Sequence, residues 1–272
     1  WPSGIVDKYY GVAADQWITT HEGETRTSMI AAKVILDGPY VQGTGLMGDA
    51  LRSQGLVPVL DPYPALGFTA VGPDIAHRLS PAVLGVTGND AIVDWVWLEL
   101  RSTSNAATVV AARAALLQRD GDVVELDGKS PAAMRVASGT YQIAIRHRNH
   151  LGVMTAGSYA VGNPATAVDL RSPGVATWGT NARKTVGSSM ALWSGDATGD
   201  RAIKFTGNGN DRDAVLTAIG GAIPTGVASG YLRTDVNMDG NVRYTGAAND
   251  RDPVLVNIGG SSPTIVVTEQ LP

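Results

Sequence analysis

The sequence predicts a mainly β chain: a β-sandwich of immunoglobulin or prealbumin type, followed by a small α-helical module built around two acidic loops. Three observations lead there. Of 272 residues, 33 are glycine and 14 proline while only 17% are charged, a composition rich in turns and poor in long charged helices. Short β-branched runs recur between turn signals through the first two thirds of the chain. Beyond them lies an internal repeat in which aspartates alternate with small polar residues. The expected division is an N-terminal arm over 1–29, a sandwich over 30–187 and the duplicated module over 188–272.

Composition removes several classes. Hydrophobic residues make up 44%, enough to bury a core. The net charge of −4 argues against a nucleic-acid binder. No apolar run approaches the ~18–20 residues that span a bilayer. The absence of cysteine excludes disulfides, Cys-ligated zinc, iron–sulfur clusters and thiol catalysis. The chain starts at Trp1 and not at methionine, as a processed product or an excerpt does, with no signal peptide at its head.

The elements follow in order. Residues 1–28 carry Trp1, Tyr9, Tyr10 and Trp17 among Gly, Asp and Thr. They read as an arm folded back on its own domain, or as an edge strand augmenting a neighbour. Strands are expected at 31–36, 92–101, 107–117, 123–126, 133–136, 141–147 and 165–170, with one short helix over 46–54. The run IVDWVWLELR alternates only partly, as a strand buried on both faces does. Residues 107–118 mix helix-favouring Ala and Leu with Thr and Val before an Arg-Asp-Gly-Asp turn, and are assigned as strand.

Candidate chemistry in this half is thin. His147 and His150 stand three apart, on opposite faces if the strand continues, and so do not share a metal unless a turn follows. His21 and His77 have no local partner. Asp94 and Glu99 fall on opposite faces of one strand and make no acid–base pair. Neither H-E-x-x-H, G-x-S-x-G nor a P-loop occurs, so no enzyme is expected. Arg113, Arg146 and Arg148 read as a solvated face, with salt bridges or contacts to an anion as the alternatives. Trp95 and Trp97 share a face: core if inward, a sugar-stacking platform if outward, with core favoured.

The repeat carries the sharpest signal. Aligned without gaps at an offset of 39, DATGDRAIKFTGNGNDRDAVLTAIGGAIPT and DVNMDGNVRYTGAANDRDPVLVNIGGSSPT agree in 15 of 30 columns. The acids are 20 Asp against 5 Glu, and eight of those Asp lie between Asp196 and Asp252. Aspartate is compact and tolerates turns, which suits short chelating loops. Asp235, Asn237 and Asp239 alternate, so a turning backbone aims three oxygens at one point. Asn241 stands where a calcium loop offers a backbone carbonyl, and Gly240 where the sharp turn falls. The first copy supplies Asp196, Thr198, Asp200 and Ala202, with Arg201 in place of the turn glycine; its site is expected to be weaker or more distorted. The closing acid is delayed: an EF-hand would place it at Gly207 or Gly246, whereas the acids come at Asp211 and Asp213, and at Asp250 and Asp252. Asp252 before Pro253 reads as a helix cap, leaving Asp250 as the better ligand, but both acids of each NDRD remain candidates. Two Ca2+ ions are the expected cofactors, since Mg2+ prefers few protein ligands.

These paired loops and short helices resemble the duplicated calcium module of type I dockerins over about residues 190–265, with the delayed acid as a departure. The segments KVILDGPY, GLMGDALRSQGLVP, VDWVWLELR, ALLQRDGDVVELDG and YQIAIRHRNHLGVMT resemble the C-terminal region of very large secreted surface proteins of the Bacteroidetes. Together they imply a secreted, non-catalytic structural or adhesive unit at the cell surface, self-associating or bound to a protein partner, with no membrane span. The alternatives are a dockerin-like plug recognised by a partner domain, and a glycan-binding accessory of a larger enzyme.

Overall fold

The computed structural model describes residues 27–72 and 78–272; the predicted arm lies almost wholly outside them, as do His21 and His77. The chain is mainly β, as its composition requires. First come strands β1 (Ser28–Lys33), β2 (Tyr40–Val41) and β3 (Leu46–Met47) and the one-turn helix α1 (Ala50–Ser53). Then follow β4 (Ile92–Ser102), β5 (Val109–Gln118), β6 (Asp122–Val124), β7 (Ala132–Met134), β8 (Gly139–Arg146), β9 (Val153–Met154), β10 (Tyr159–Val161) and β11 (Thr166–Asp169). They form a nine-stranded sheet in the order β10-β8-β4-β5-β6-β1-β11, with β7 added to β1 and β9 to β8. Only the β1–β11 pairing is parallel.

The central pair β4–β5 explains two of the expectations. β4 is buried from Ile92 through Arg101, so its run shows no clean alternation. The ambiguous segment at 107–118 is strand because β4 pairs along nearly all of it, from Ile92 with Gln118 to Arg101 with Val109; long-range pairing overrides the helix preference of Ala and Leu. Trp95 and Trp97 lie in the core, so no exposed aromatic platform forms there. The helix expected over 46–54 is shorter, because Leu46 and Met47 pair with β2 and the Met47 amide donates to the Arg119 carbonyl.

The predicted boundary falls in the turn of the hairpin β12 (Lys184–Val186) and β13 (Ser189–Ala191). The expectation of a helical module after it needs correction. Each copy of the repeat is loop, strand, helix, strand: β14 (Ala202–Lys204), α2 (Asp211–Ala218) and β15 (Val227–Ser229), then β16 (Asn241–Arg243), α3 (Arg251–Asn257) and β17 (Val266–Thr268). The helices have only 8 and 7 residues, because the Gly-Gly pairs that follow end them.

The two copies exchange partners. β14 of the first pairs with β17 of the second, and β15 of the first with β16 of the second. The cores cross in the same way: Val215 of α2 packs with Val236 and Val242, while Val254 of α3 packs with Ile203. Neither copy can bury its own apolar residues alone, so the duplication folds as one unit.

That unit is seated on the sheet by polar side chains. Asn149 donates to the carbonyls of Arg233 (3.0 Å) and Asp235 (2.7 Å), and Gln54 to that of Asp239 (2.7 Å). Asn257 donates to the Ser194 carbonyl and to Asp37. Gly38 lies so close that a Cβ there would sit 2.1 Å from the Val236 carbonyl oxygen. Gly38→Ala is therefore expected to push the second loop off the sheet and cost about 1–3 kcal/mol in urea unfolding. An unchanged midpoint would show that the contact gives way freely.

Candidate metal centre

Each acidic loop wraps its own carboxylates in backbone amides. In the second copy, Asp235 accepts from the amides of Asp239 (3.1 Å) and Gly240 (2.8 Å). Asp250 accepts from Val236 (2.9 Å), Asn237 (3.3 Å) and Arg243 (2.9 Å). In the first, Asp196 accepts from Gly199 (2.6 Å) and Arg201 (3.1 Å), and Asp211 from Thr198 and Lys204. The backbones of the loops correspond at four left-handed positions: Gly199 and Met238, Arg201 and Gly240, Gly207 and Gly246, Gly209 and Ala248. Arg201 therefore holds the turn that Gly240 makes without strain, at a cost of about 1–2 kcal/mol.

The structure sorts the two acids of NDRD. Asp211 and Asp250 are fully buried and close their loops. Asp213 and Asp252 do not: they sit in the first turns of α2 and α3, mostly exposed, each beside the preceding arginine. Nor is Asp252 the cap. Asn210 and Asn249 are, accepting from the amides of Asp213 (2.9 Å) and Asp252 (2.8 Å) while their Nδ2 groups donate back to those carboxylates. The identical asparagines of the two NDRD motifs were the sequence signal for these caps.

Burial raises all four interior acids. Asp196 is pushed up to about 7, by burial and then by the charge of Asp211. Asp211 rises to about 6 through burial, even with its amide hydrogen bonds. Asp235 rises to about 6 through burial, although Arg148 pulls against it, and Asp250 to about 7 through burial and the charge of Asp235. Each loop thus holds two buried carboxylates of like charge with no basic side chain bonded to either, and hard oxygen donors of this kind fit a divalent cation.

The remaining predicted ligands are placed differently. Among the described residues, no three His, Asp or Glu side chains gather on one point. Asp200 pairs with Lys204, and Asp239 with Arg243 at 2.6 Å. Thr198 Oγ1 donates to Asp211 (3.1 Å), Asn237 Nδ2 to the Ala248 carbonyl, and Asn241 Oδ1 accepts from Ser229. Ala202 offers only its backbone, in β14. A cation in either loop would take its third carboxylate from a lysine or an arginine.

Behind the second loop is a buried polar cluster that the sequence did not show. Asp94 accepts from Tyr231 Oη (2.6 Å), Arg148 Nε (3.0 Å) and His147 Nε2 (3.1 Å). His147 and His150 meet, Nδ1 to Nδ1 at 3.1 Å, because the chain leaves β8 after Arg146 and turns. Gly38 donates to His150 Nε2, so a neutral His150 carries its proton on Nδ1, His147 accepts there, and its Nε2–H points to Asp94. Burial lowers both histidines, His150 the more, which keeps them neutral. Burial also works against ionised Asp94, but Arg148, His147 and Tyr231 outweigh it and hold the carboxyl at about 2. Arg148 also reaches the Leu232 carbonyl, three residues before Asp235.

Fold and site together define a mainly β chain bearing an interlocked, duplicated acidic loop. No protein family, curated protein or solved structure matches it.

Proposed function

We propose that this chain is a non-catalytic, calcium-stabilised structural or adhesive unit of a secreted surface protein, with one Ca2+ in each loop. The observation that carries the reading is the pair of buried, like-charged carboxylates at the same place in both copies, Asp196 with Asp211 and Asp235 with Asp250. A divalent ion would relieve the repulsion that burial imposes. Asp200 and Asp239 would complete the sites by leaving Lys204 and Arg243. Extracellular calcium modules work at roughly 10⁻⁴–10⁻³ M, so such a unit would be loaded outside the cell and unloaded within it.

The packing favours a structural unit over a plug with free paired helices. Val215 and Val254 are buried against the exchanged strands, and Asn257 is tied to Ser194 and Asp37. The sandwich reading of the main domain rests on β4 being buried on both faces. Calorimetric titration with calcium is expected to give two sites, the first weaker because of Arg201 and Thr198. Asp250→Asn should remove one site and Asp211→Asn the other. No heat with the unmodified protein would end the proposal.

A further inference from the structure

Between the sheet and the first acidic loop lies a cavity of about 240 Å³, lined by Asp196 of that loop and by arginines that the calcium reading leaves unused. The sheet contributes Trp97, Glu99 and Arg146, the turn after β8 contributes Arg148, and the repeat contributes Arg201 and Arg233. Four guanidinium groups on one small cavity is an unusual concentration in a chain of net charge −4.

Their partners are incomplete. Arg148 is 3% exposed, and its Nη2 has no hydrogen-bond partner, although Nε and Nη1 are used. Arg146 Nε also lacks one. Glu99 is engaged by Arg101 at 2.6 Å and stands 3.6 Å from Arg146. Glu269 is 3.3 Å from Arg146 and 3.8 Å from Arg201. Arg233 donates to the Thr198 carbonyl (3.2 Å). Its guanidinium passes directly over Gly199, where a Cβ would lie 1.2 Å from Nη1. A buried guanidinium nitrogen without an acceptor costs free energy until an acceptor arrives. Apolar surface completes the wall: Phe68 lies edge-on to Trp97, ring centroids 5.4 Å apart, under the Arg146 guanidinium.

We propose that this cavity binds a small oxyanion-bearing ligand, a carboxylate or a phosphate, through Arg146, Arg148, Arg201 and Arg233. Guanidinium forks match both oxyanions. The inference rests on the arginines, but Asp196 of the first loop lines the same cavity, so each anion is titrated both with and without calcium.

The test is calorimetry on the intact chain with D-galacturonate, inorganic phosphate and neutral D-galactose, each in calcium and in chelator, so that failure of the calcium sites leaves the anion result readable. The expected result is one saturable site for galacturonate or for phosphate, which names the source of the oxyanion, and none for galactose. Arg233→Gln and Arg201→Gln, both away from the buried cluster around Asp94, should each weaken binding about tenfold, the loss expected for one charge-assisted hydrogen bond, with the melting temperature unchanged. In nitrogen-15 spectra the Arg148 side-chain signals should shift on saturation. Galactose binding as well as galacturonate, no saturation by either anion at millimolar concentration, or variants that bind like the parent would overturn it.

Discussion

Asp94→Ala is expected to destabilise the protein by about 3–5 kcal/mol, the cost of removing one partner from a buried ion pair. The side chain is completely buried and holds four donors at once: Arg148, His147, Tyr231 and the Trp95 amide. Alanine would leave the Arg148 guanidinium buried beside no opposing charge and Tyr231 without its acceptor. Asp94→Asn keeps an acceptor but not the charge, so its loss should be smaller. The damage should also be directional. Arg148 and Asn149 hold the carbonyls of Leu232, Arg233 and Asp235, at the entrance to the second loop. Calcium should therefore weaken at the second site in Asp94→Ala and change little at the first. Urea unfolding measures the stability and calorimetry the two sites. A loss below about 1 kcal/mol would place this cluster among the buried ion pairs that contribute little net stability.

What the sequence reveals and what it hides divide along sequence distance. The run from Ile92 and the alternation before Arg146 are local patterns, and both are strands within a residue or two of expectation. The loop acids Asp196, Asp235, Asp211 and Asp250 were legible because duplication marks them twice. Within NDRD the sequence left the choice open, since two acids two residues apart differ only once the helix start is fixed, and Asn210 and Asn249 fix it. Asp94 could not be read at all: its partners Arg148 and Tyr231 stand 54 and 137 residues away. Arg113 is open in the sequence for the same reason, between a solvated face and a salt bridge; it is 5% exposed and grips Glu125 with both Nη atoms, at 2.8 and 2.7 Å. The exchange of strands between the copies was equally hidden, because identical columns do not say whether a copy pairs with itself or with its twin.

The melting temperature should depend steeply on pH without calcium and little with it. In the metal-free protein, Asp196 and Asp250 lie at about 7 and Asp211 and Asp235 at about 6, all above the ordinary 3.8 of an aspartate in the unfolded chain. Between those limits the folded state binds more protons than the unfolded state, so stability falls as pH rises and is regained on acidification. Within each coupled pair the first proton relieves most of the repulsion. Going from about pH 7.5 to about pH 5 should therefore raise the metal-free stability by about 5 kcal/mol, about 2.5 from each pair, or roughly 2–4 °C per kcal/mol in a chain of this size. Calcium flattens the slope, because the loaded fold and the unfolded chain both keep these carboxylates ionised over this range and exchange no protons on unfolding. At about one hundred times Kd each ion adds about 2.7 kcal/mol, or about 5 kcal/mol for both, at pH 7.5. The ligands must be ionised to hold it, so the same acidification releases the ions and removes that gain. The two curves should converge near pH 5, with the calcium curve higher at neutral pH and nearly level while the metal-free curve rises to meet it. Scanning calorimetry at several pH values, in calcium and in chelator, reads this directly. Superimposed curves at pH 7.5 would mean that these carboxylates hold no ion, and a metal-free curve that falls on acidification would mean that they are not the strained, like-charged pairs described above.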